Sequence, residues 1–524
     1  MRRRRTRRDR SRDTCSSVTT IDIATADGVL RGRRGRRAAR WRSIPYAAPP
    51  VGELRLRAPQ PVSPWSGVRD ATGFGFAAVQ HREGARTGVR TLQPTGEDCL
   101  TLNVTAPVEP SAAPWPVLVF VHGGGYVIGT SAVELYSGAR LAVRGDVVVV
   151  SINYRLGAFG YVDFSEFSTA GRAFDSNLGL RDQVAALTWV RRNIAAFGGD
   201  PDNVTVFGES AGANAVLSLF ATPAAVGLFR RGIAQSAPAD WALSPDQARI
   251  FARLCIENLG AAPEDAARAL TVASANDLRR AVGRAIDHVL RRQPGSFPIA
   301  PVVDGEFLPR APIEAFADGA AQRLPLIIGT NHSEGTLFAR FDPTLPTTAE
   351  QLRLALSRSG DDSLERRVAA TYPGYPGRAA ATRMGGDFVF WRPTVAVAQA
   401  HSRHAPTYAY RYDFAPRALR LSGFGATHAL ELVPVFGWVD TPVGRAMAAA
   451  GGYRGFLAVQ HEFQDNWLAF ARTGRPLPTW PEYSERRRCT RIIDYPARVE
   501  VDPDRAKRIA WEGIRVPALT GSAT

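Results

Sequence analysis

Residues 204–214 read VTVFGESAGAN. Val204-Thr205-Val206-Phe207 is β-branched and aromatic, the composition of a buried strand. The run after Ser210, AGANAVLSLFA, is small and apolar, with good helix formers. A strand that passes at once into a helix needs a tight reversal, and the residue at its apex is often held in strained dihedrals. Gly208 and Gly212 lack Cβ atoms, so strand and helix can crowd around Ser210. The G-x-S-x-G spacing is that of a nucleophile elbow, which holds a serine hydroxyl clear of a sheet at a helix N-terminus. A glycine-bounded turn that happens to hold a serine is the other reading of the pentapeptide, so the surrounding chain has to decide.

Outward from this stretch, strands and helices alternate. PWPVLVFVHGGG reads as a strand entering a glycine-rich loop, and DVVVVSINYRLG as another buried strand. NLGLRDQVAALTWVRRNIAAFGGDP is an amphipathic helix, its apolar Leu180, Val184, Leu187, Val190, Ile194 and Phe197 recurring at three and four. FRRGIAQSA, LPLIIGTNHSEG and TYAYRYDF supply further strands, and residues 245–293, 345–405 and 453–473 are helical. Residues 18–32 read as short strands with turns, and the proline-rich SIPYAAPPVGELRLRAPQPV as a surface wrap. This alternation predicts an α/β fold, a mostly parallel sheet covered on both faces by helices, with the longer helical stretches inserted in one large domain.

A chain of 524 residues, 45% hydrophobic, can bury a sizeable core. No apolar run approaches the ~20 residues of a membrane-spanning helix. The net charge of +16 is concentrated at the start. Residues 1–42 hold 15 arginines and 4 aspartates, a balance of +11, which leaves +5 for the other 482. Residues 1–17 are expected to be a disordered arginine-rich tail, with weak anchoring to nucleic acid or an anionic surface as the alternative. Residues 18–524 are expected to form a single domain. MRRRRTRRDRSRD has no apolar core behind it and so does not read as an export signal. The cysteines, Cys15, Cys99, Cys255 and Cys489, are scattered without a C-x-x-C pair, which argues against a metal site or a disulfide framework. His401 and His404 have no nearby cysteine or carboxylate partner and read as packing or surface residues.

A serine hydroxyl needs a histidine base, and the histidine needs an acid to hold its tautomer. Where a nucleophile elbow carries such a triad, the chain order is serine, acid, histidine. Among the histidines after Ser210, His428 in GATHALELVPVFG and His332 in GTNHSEG stand in suitable settings. Glu334 follows His332 by two, so Ser210, Glu334 and His428 satisfy the order. HGGGYVIG, directly after the strand at 117–121, fits an oxyanion loop whose glycines let N–H groups approach a substrate. Ala211 supplies a further N–H. The loop lacks the lysine of a phosphate-binding G-x-x-x-x-G-K-[ST].

These stretches, with EDCLTLNV, INYRLGAFGY, FGGDPDNVTVFGESAGA and WLAFARTGRP, resemble the type-B carboxylesterases, the cholinesterase-like branch of the α/β-hydrolases. The resemblance spans about residues 22–515 and is greatest to bacterial carboxylesterases of the para-nitrobenzyl esterase kind. It implies an α/β-hydrolase fold and hydrolysis of short- or medium-chain carboxylic esters, with neither cofactor nor metal. It further implies Ser210 as nucleophile, Glu334 as triad acid and His428 as general base, with Gly124, Gly125 and Ala211 as oxyanion donors. Glu209 and Ser236 resemble supporting polar residues, and Trp241 a wall of the acyl pocket. Arg55 with Glu97 and Arg155 with Asp182 resemble structural ion pairs, ordinary surface charge being the alternative.

Two departures stand out. Ala78 occupies the place where the family has the cysteine that pairs with the one in EDCL, so Cys99 lacks an evident partner, which suits a reducing cytoplasm. Residues 78–99 contain no tryptophan to hold a choline head group, so a choline ester is not the expected substrate. Three rivals remain at this level: a non-catalytic adhesion or scaffold protein on the same fold, a nucleic-acid-binding role for the basic start, and a carbamate, thioester or amide hydrolase using the same acyl chemistry. No nucleic-acid partner is expected, and monomer and homodimer stay open.

Overall fold

The computed structural model describes residues 19–88, 91–109, 111–341 and 344–514; the expected tail at 1–17 lies outside them. Among the described residues thirteen strands form one sheet: β1 (Thr19–Thr25), β2 (Gly28–Arg34), β3 (Ala38–Pro45), β4 (Val68–Asp70), β5 (Thr101–Pro107), β6 (Trp115–Val121), β7 (Val148–Ile152), β8 (Gly199–Glu209), β9 (Arg231–Gln235), β10 (Leu326–Asn331), β11 (Thr407–Tyr412), β12 (Cys489–Ile493) and β13 (Arg498–Val501). Their spatial order is β1-β2-β3-β5-β7-β6-β8-β9-β10-β11-β12-β13, with β4 beside β2. From β7 to β12 every pairing is parallel. The margins β1-β2-β3-β5-β7 and β12-β13 are antiparallel, with β4 parallel to β2.

The sheet is buried on both faces, and β6 shows how. Val117, Val119 and Val121 enter one apolar cluster, while Leu118 and Phe120 enter the other. Successive side chains point to opposite faces, so a continuous β-branched and aromatic run is what a two-sided core requires. Helix Tyr453–Thr473 covers the second face with Val459, Phe463, Trp467 and Phe470, spaced at three and four. Helices Leu178–Asn193 and Ala211–Phe220 contribute to the first cluster. The expected helix through Phe197 is α-helical to Asn193 and tightens to a 3₁₀ turn over Ile194–Phe197, closed by Gly198 at φ 81°. The stretch 245–293 divides into helices Pro245–Leu259, Ala266–Val272 and Ala275–Arg292.

Both expected ion pairs form. Arg155 and Asp182 are fully buried and doubly bonded, Nε to Oδ2 at 2.8 Å and Nη2 to Oδ1 at 2.6 Å. Arg55 Nε donates to Glu97 Oε2 at 2.8 Å, and Nη2 reaches Oε1. Cys99, Cys255 and Cys489 are buried free thiols. Among the described residues no helix is long and apolar enough to cross a membrane.

Candidate active site

The parallel register brings the carboxyl ends of the central strands side by side: Val121 of β6 pairs with Gly208 of β8, Glu209 with Gln235 of β9, and Gly329 of β10 with Gln235. Loops leaving one edge of a parallel sheet are where such folds gather functional groups. The ladder continues past the strand ends through Ser210 N–Gln235 O at 2.9 Å, Ser236 N–Gly329 O at 2.8 Å and Ser333 N–Ala426 O at 2.9 Å.

Ser210 sits at the apex between β8 and helix Ala211–Phe220, with φ 58° and ψ −127°. A non-glycine residue there is strained and persists only where its surroundings over-determine it. The two glycines are that surrounding. A Cβ on Gly208 would lie 2.4 Å from Gly212 O, and one on Gly212 would lie 2.1 Å from Val121 O. Strand, helix and the end of β6 therefore touch backbone to backbone. Ser210 Oγ makes no hydrogen bond to a described residue and is left available.

His428, on the loop after β11, is buried between Phe338 and Phe390, the latter stacked at 4.5 Å. Its Nδ1 donates to Glu334 Oε2 at 2.6 Å. Glu334 Oε1 in turn accepts from Ser236 Oγ and Asn331 N, each at 2.6 Å. The carboxylate is thus held at both oxygens, and the imidazole proton is fixed on Nδ1, which leaves Nε2 as the proton acceptor. Nε2 lies 3.0 Å from Glu209 Oε1, which has no hydrogen-bond partner.

Three buried glutamates surround this one imidazole. Burial lowers the His428 pKa, but the Glu209 and Glu334 charges outweigh it and raise it to about 9. Glu209 is pushed up by burial to about 7, His428 opposing the shift. Glu431 is pushed up to about 8 by burial and by the same two carboxylates. It hydrogen-bonds Asn331 Nδ2 and Gln235 Nε2, so it braces the β9 and β10 ends beneath the histidine. Sequence reasoning passed over Glu431; its signal is the three-residue step from His428 within HALE.

The loop after β6 runs beside the elbow, a Cβ on Gly123 falling 3.0 Å from Ser210 Cβ. Gly124 and Gly125 adopt φ 110° and 60°, and a Cβ on Gly124 would strike Ile128 O at 2.1 Å. The N–H groups of Gly124, Gly125 and Ala211 donate to no described residue. Tyr126 Oη donates to Asn214 Oδ1 at 2.5 Å and Tyr154 Oη to His122 O at 2.6 Å, which pins the loop to the helix and to β7. Trp241 stacks on Phe297 with centroids 3.6 Å apart, and the Phe297 ring reaches the place a Gly125 Cβ would take, at 2.9 Å. Phe297 was not legible as a site residue, because it lies 56 positions from Trp241 with no motif of its own. His332 is exposed, its Nδ1 beside Ser333 Oγ at 3.3 Å. His401 is buried and its Nε2 meets Leu324 O at 2.8 Å, a packing role.

Comparison with known proteins gives a consistent picture. The model of the carboxylesterase family matches residues 18–508. The chain is 40% identical over 491 residues to the para-nitrobenzyl esterase of Bacillus subtilis, covering 93% of this chain and 97% of that one. It is 34% identical over 458 residues to phenmedipham hydrolase of Pseudarthrobacter oxydans, covering 84% and 89%. Among solved structures, a thermophilic PNB esterase superposes with a TM-score of 0.84 at 38% identity, over 94% of this chain and all of that one.

Proposed function

This chain belongs to the carboxylesterase family and is a carboxylic ester hydrolase; from that premise we propose that it works by acyl transfer through Ser210, His428 and Glu334. His428 Nε2 takes the Ser210 proton as Oγ attacks the ester carbonyl. The oxyanion is received by the N–H groups of Gly124, Gly125 and Ala211, where one such donor is typically worth about 100- to 1000-fold in rate. His428 then protonates the leaving alcohol, and water activated by the same nitrogen releases the acid from the acyl-enzyme. Glu334 holds the imidazole proton on Nδ1 and stabilises the imidazolium. The observation that carries the reading is the doubly anchored Glu334 bonded to His428 Nδ1 at 2.6 Å. The free donors at the glycine loop support it.

The substrates are esters of short or medium acyl chains with aryl or alkyl alcohols. The Trp241–Phe297 stack against Gly125 supports a bounded acyl side. The buried free thiols fit a reducing, cytoplasmic setting. The test is turnover of para-nitrophenyl acyl esters from C2 to C12 by the parent and by Ser210→Ala, with fluorophosphonate labelling in parallel. Activity and labelling lost together in the variant support the nucleophile. A parent that neither turns over nor labels would return the scaffold reading to first place.

A further inference from the structure

A cavity of about 570 Å³ lies behind the turn that carries Glu334. That volume suits a small-molecule ligand. Its floor is the turn from β10 into helix Gly335–Phe341, where Ser333 and Gly335 flank Glu334. One wall is helix Arg378–Gly386, and the other is the loop at 420–425 that leads to His428. The two loops are tied there by Thr336, whose Oγ1 lies 2.8 Å from Thr427 Oγ1 and 2.7 Å from Phe424 O.

Four guanidinium groups line this cavity, from Arg340, Arg378, Arg383 and Arg420, and among the described residues no carboxylate does. Other arginines of the chain do have acid partners, as Arg155 has Asp182, Arg411 has Asp413 and Arg491 has Glu462. Here Arg340 reaches only the Ser422 carbonyl and the Phe424 ring, and Arg378 only the Ala339 carbonyl at 3.2 Å. The side chains of Arg383 and Arg420 form no hydrogen bond or ion pair with any described residue. Guanidinium groups stay charged, and their fork of N–H donors matches the oxygen pairs of phosphate and carboxylate groups. Four like charges around one cavity repel each other until an anion enters.

We propose that this cavity is a binding site for a small multivalent oxyanion, separate from the ester site and reached from the opposite side of Glu334. The probe is inorganic pyrophosphate, titrated calorimetrically into the full chain at fixed ionic strength, with citrate as a second oxyanion. One pyrophosphate is expected to bind per chain, more weakly as salt is raised. Arg383→Gln with Arg420→Gln is expected to lower the affinity at least tenfold. Ala379→Glu, an exposed position on the cavity wall, supplies an internal carboxylate and is expected to lower it similarly without removing an arginine. Ser210→Ala should bind as the parent does, so the result stands or falls apart from the esterase reading. Absence of saturable binding to the parent overturns the site. So does equal binding by folded variants, which would place the anion on other arginines.

Discussion

Replacing Glu334 by glutamine tests the proposed triad most sharply, because the carboxylate is asked to accept at both ends. Oε2 accepts from His428 Nδ1, and Oε1 accepts from Ser236 Oγ and Asn331 N. An amide of the same shape has only one accepting end. If its oxygen faces His428, its NH₂ meets the Asn331 N–H, and a buried donor is orphaned at a cost of about 1–3 kcal/mol. If it faces Asn331 and Ser236, the NH₂ meets Nδ1 and drives the imidazole proton to Nε2. A histidine protonated there cannot take the Ser210 proton, and that wrong tautomer costs about 10⁴-fold in kcat in a serine triad. Either orientation also removes the negative charge that stabilises the imidazolium. The expected loss is therefore about 10³- to 10⁴-fold in kcat, or about 4–5.5 kcal/mol of barrier, with KM little changed. The assay is steady-state hydrolysis of para-nitrophenyl acetate beside a thermal melt. A folded Glu334→Gln enzyme within tenfold of the parent would refute the assignment of the acid.

Three further outcomes follow from the same contacts. The His428 pKa stands at about 9 because Glu209 and Glu334 outweigh burial, and only the neutral ring is a base. Activity should therefore rise with pH, and Glu209→Gln should move that rise to lower pH by about one unit; an unmoved or upward-shifted profile contradicts the electrostatic account. Phe297→Ala should open the acyl side and raise the C8-to-C2 ratio of kcat/KM by about tenfold, as an acyl-length series would read; an unchanged ratio means the ring bounds something else. Asp182→Asn leaves the Arg155 guanidinium buried without its counter-ion, which should cost about 3–5 kcal/mol. At about 2.1 cal/mol/K per residue over roughly 500 residues, that lowers Tm by about 3–5 °C, and a melt within 1 °C of the parent argues against it.

Local pattern was enough to establish the elbow. The β-branched run at 204–207, the two glycines around Ser210 and the helix formers beyond them state a strand-turn-helix within eleven residues, because each signal acts over a few residues. The same holds for β6, β10 and helix Tyr453–Thr473, whose apolar spacing matches the faces they bury. The proposed Ser210, Glu334 and His428 come from motif and chain order. Their meeting does not, since β10 and the loop after β11 come together only through the parallel pairing of β8, β9, β10 and β11. Tertiary structure alone decided that Glu209 and Glu431 crowd the same imidazole, that Phe297 stacks on Trp241 beside Gly125, and that Arg340, Arg378, Arg383 and Arg420 share one cavity. Side-chain charge and ring contacts depend on distance in space. A linear sequence displays that distance only where the contacting residues are also neighbours along the chain.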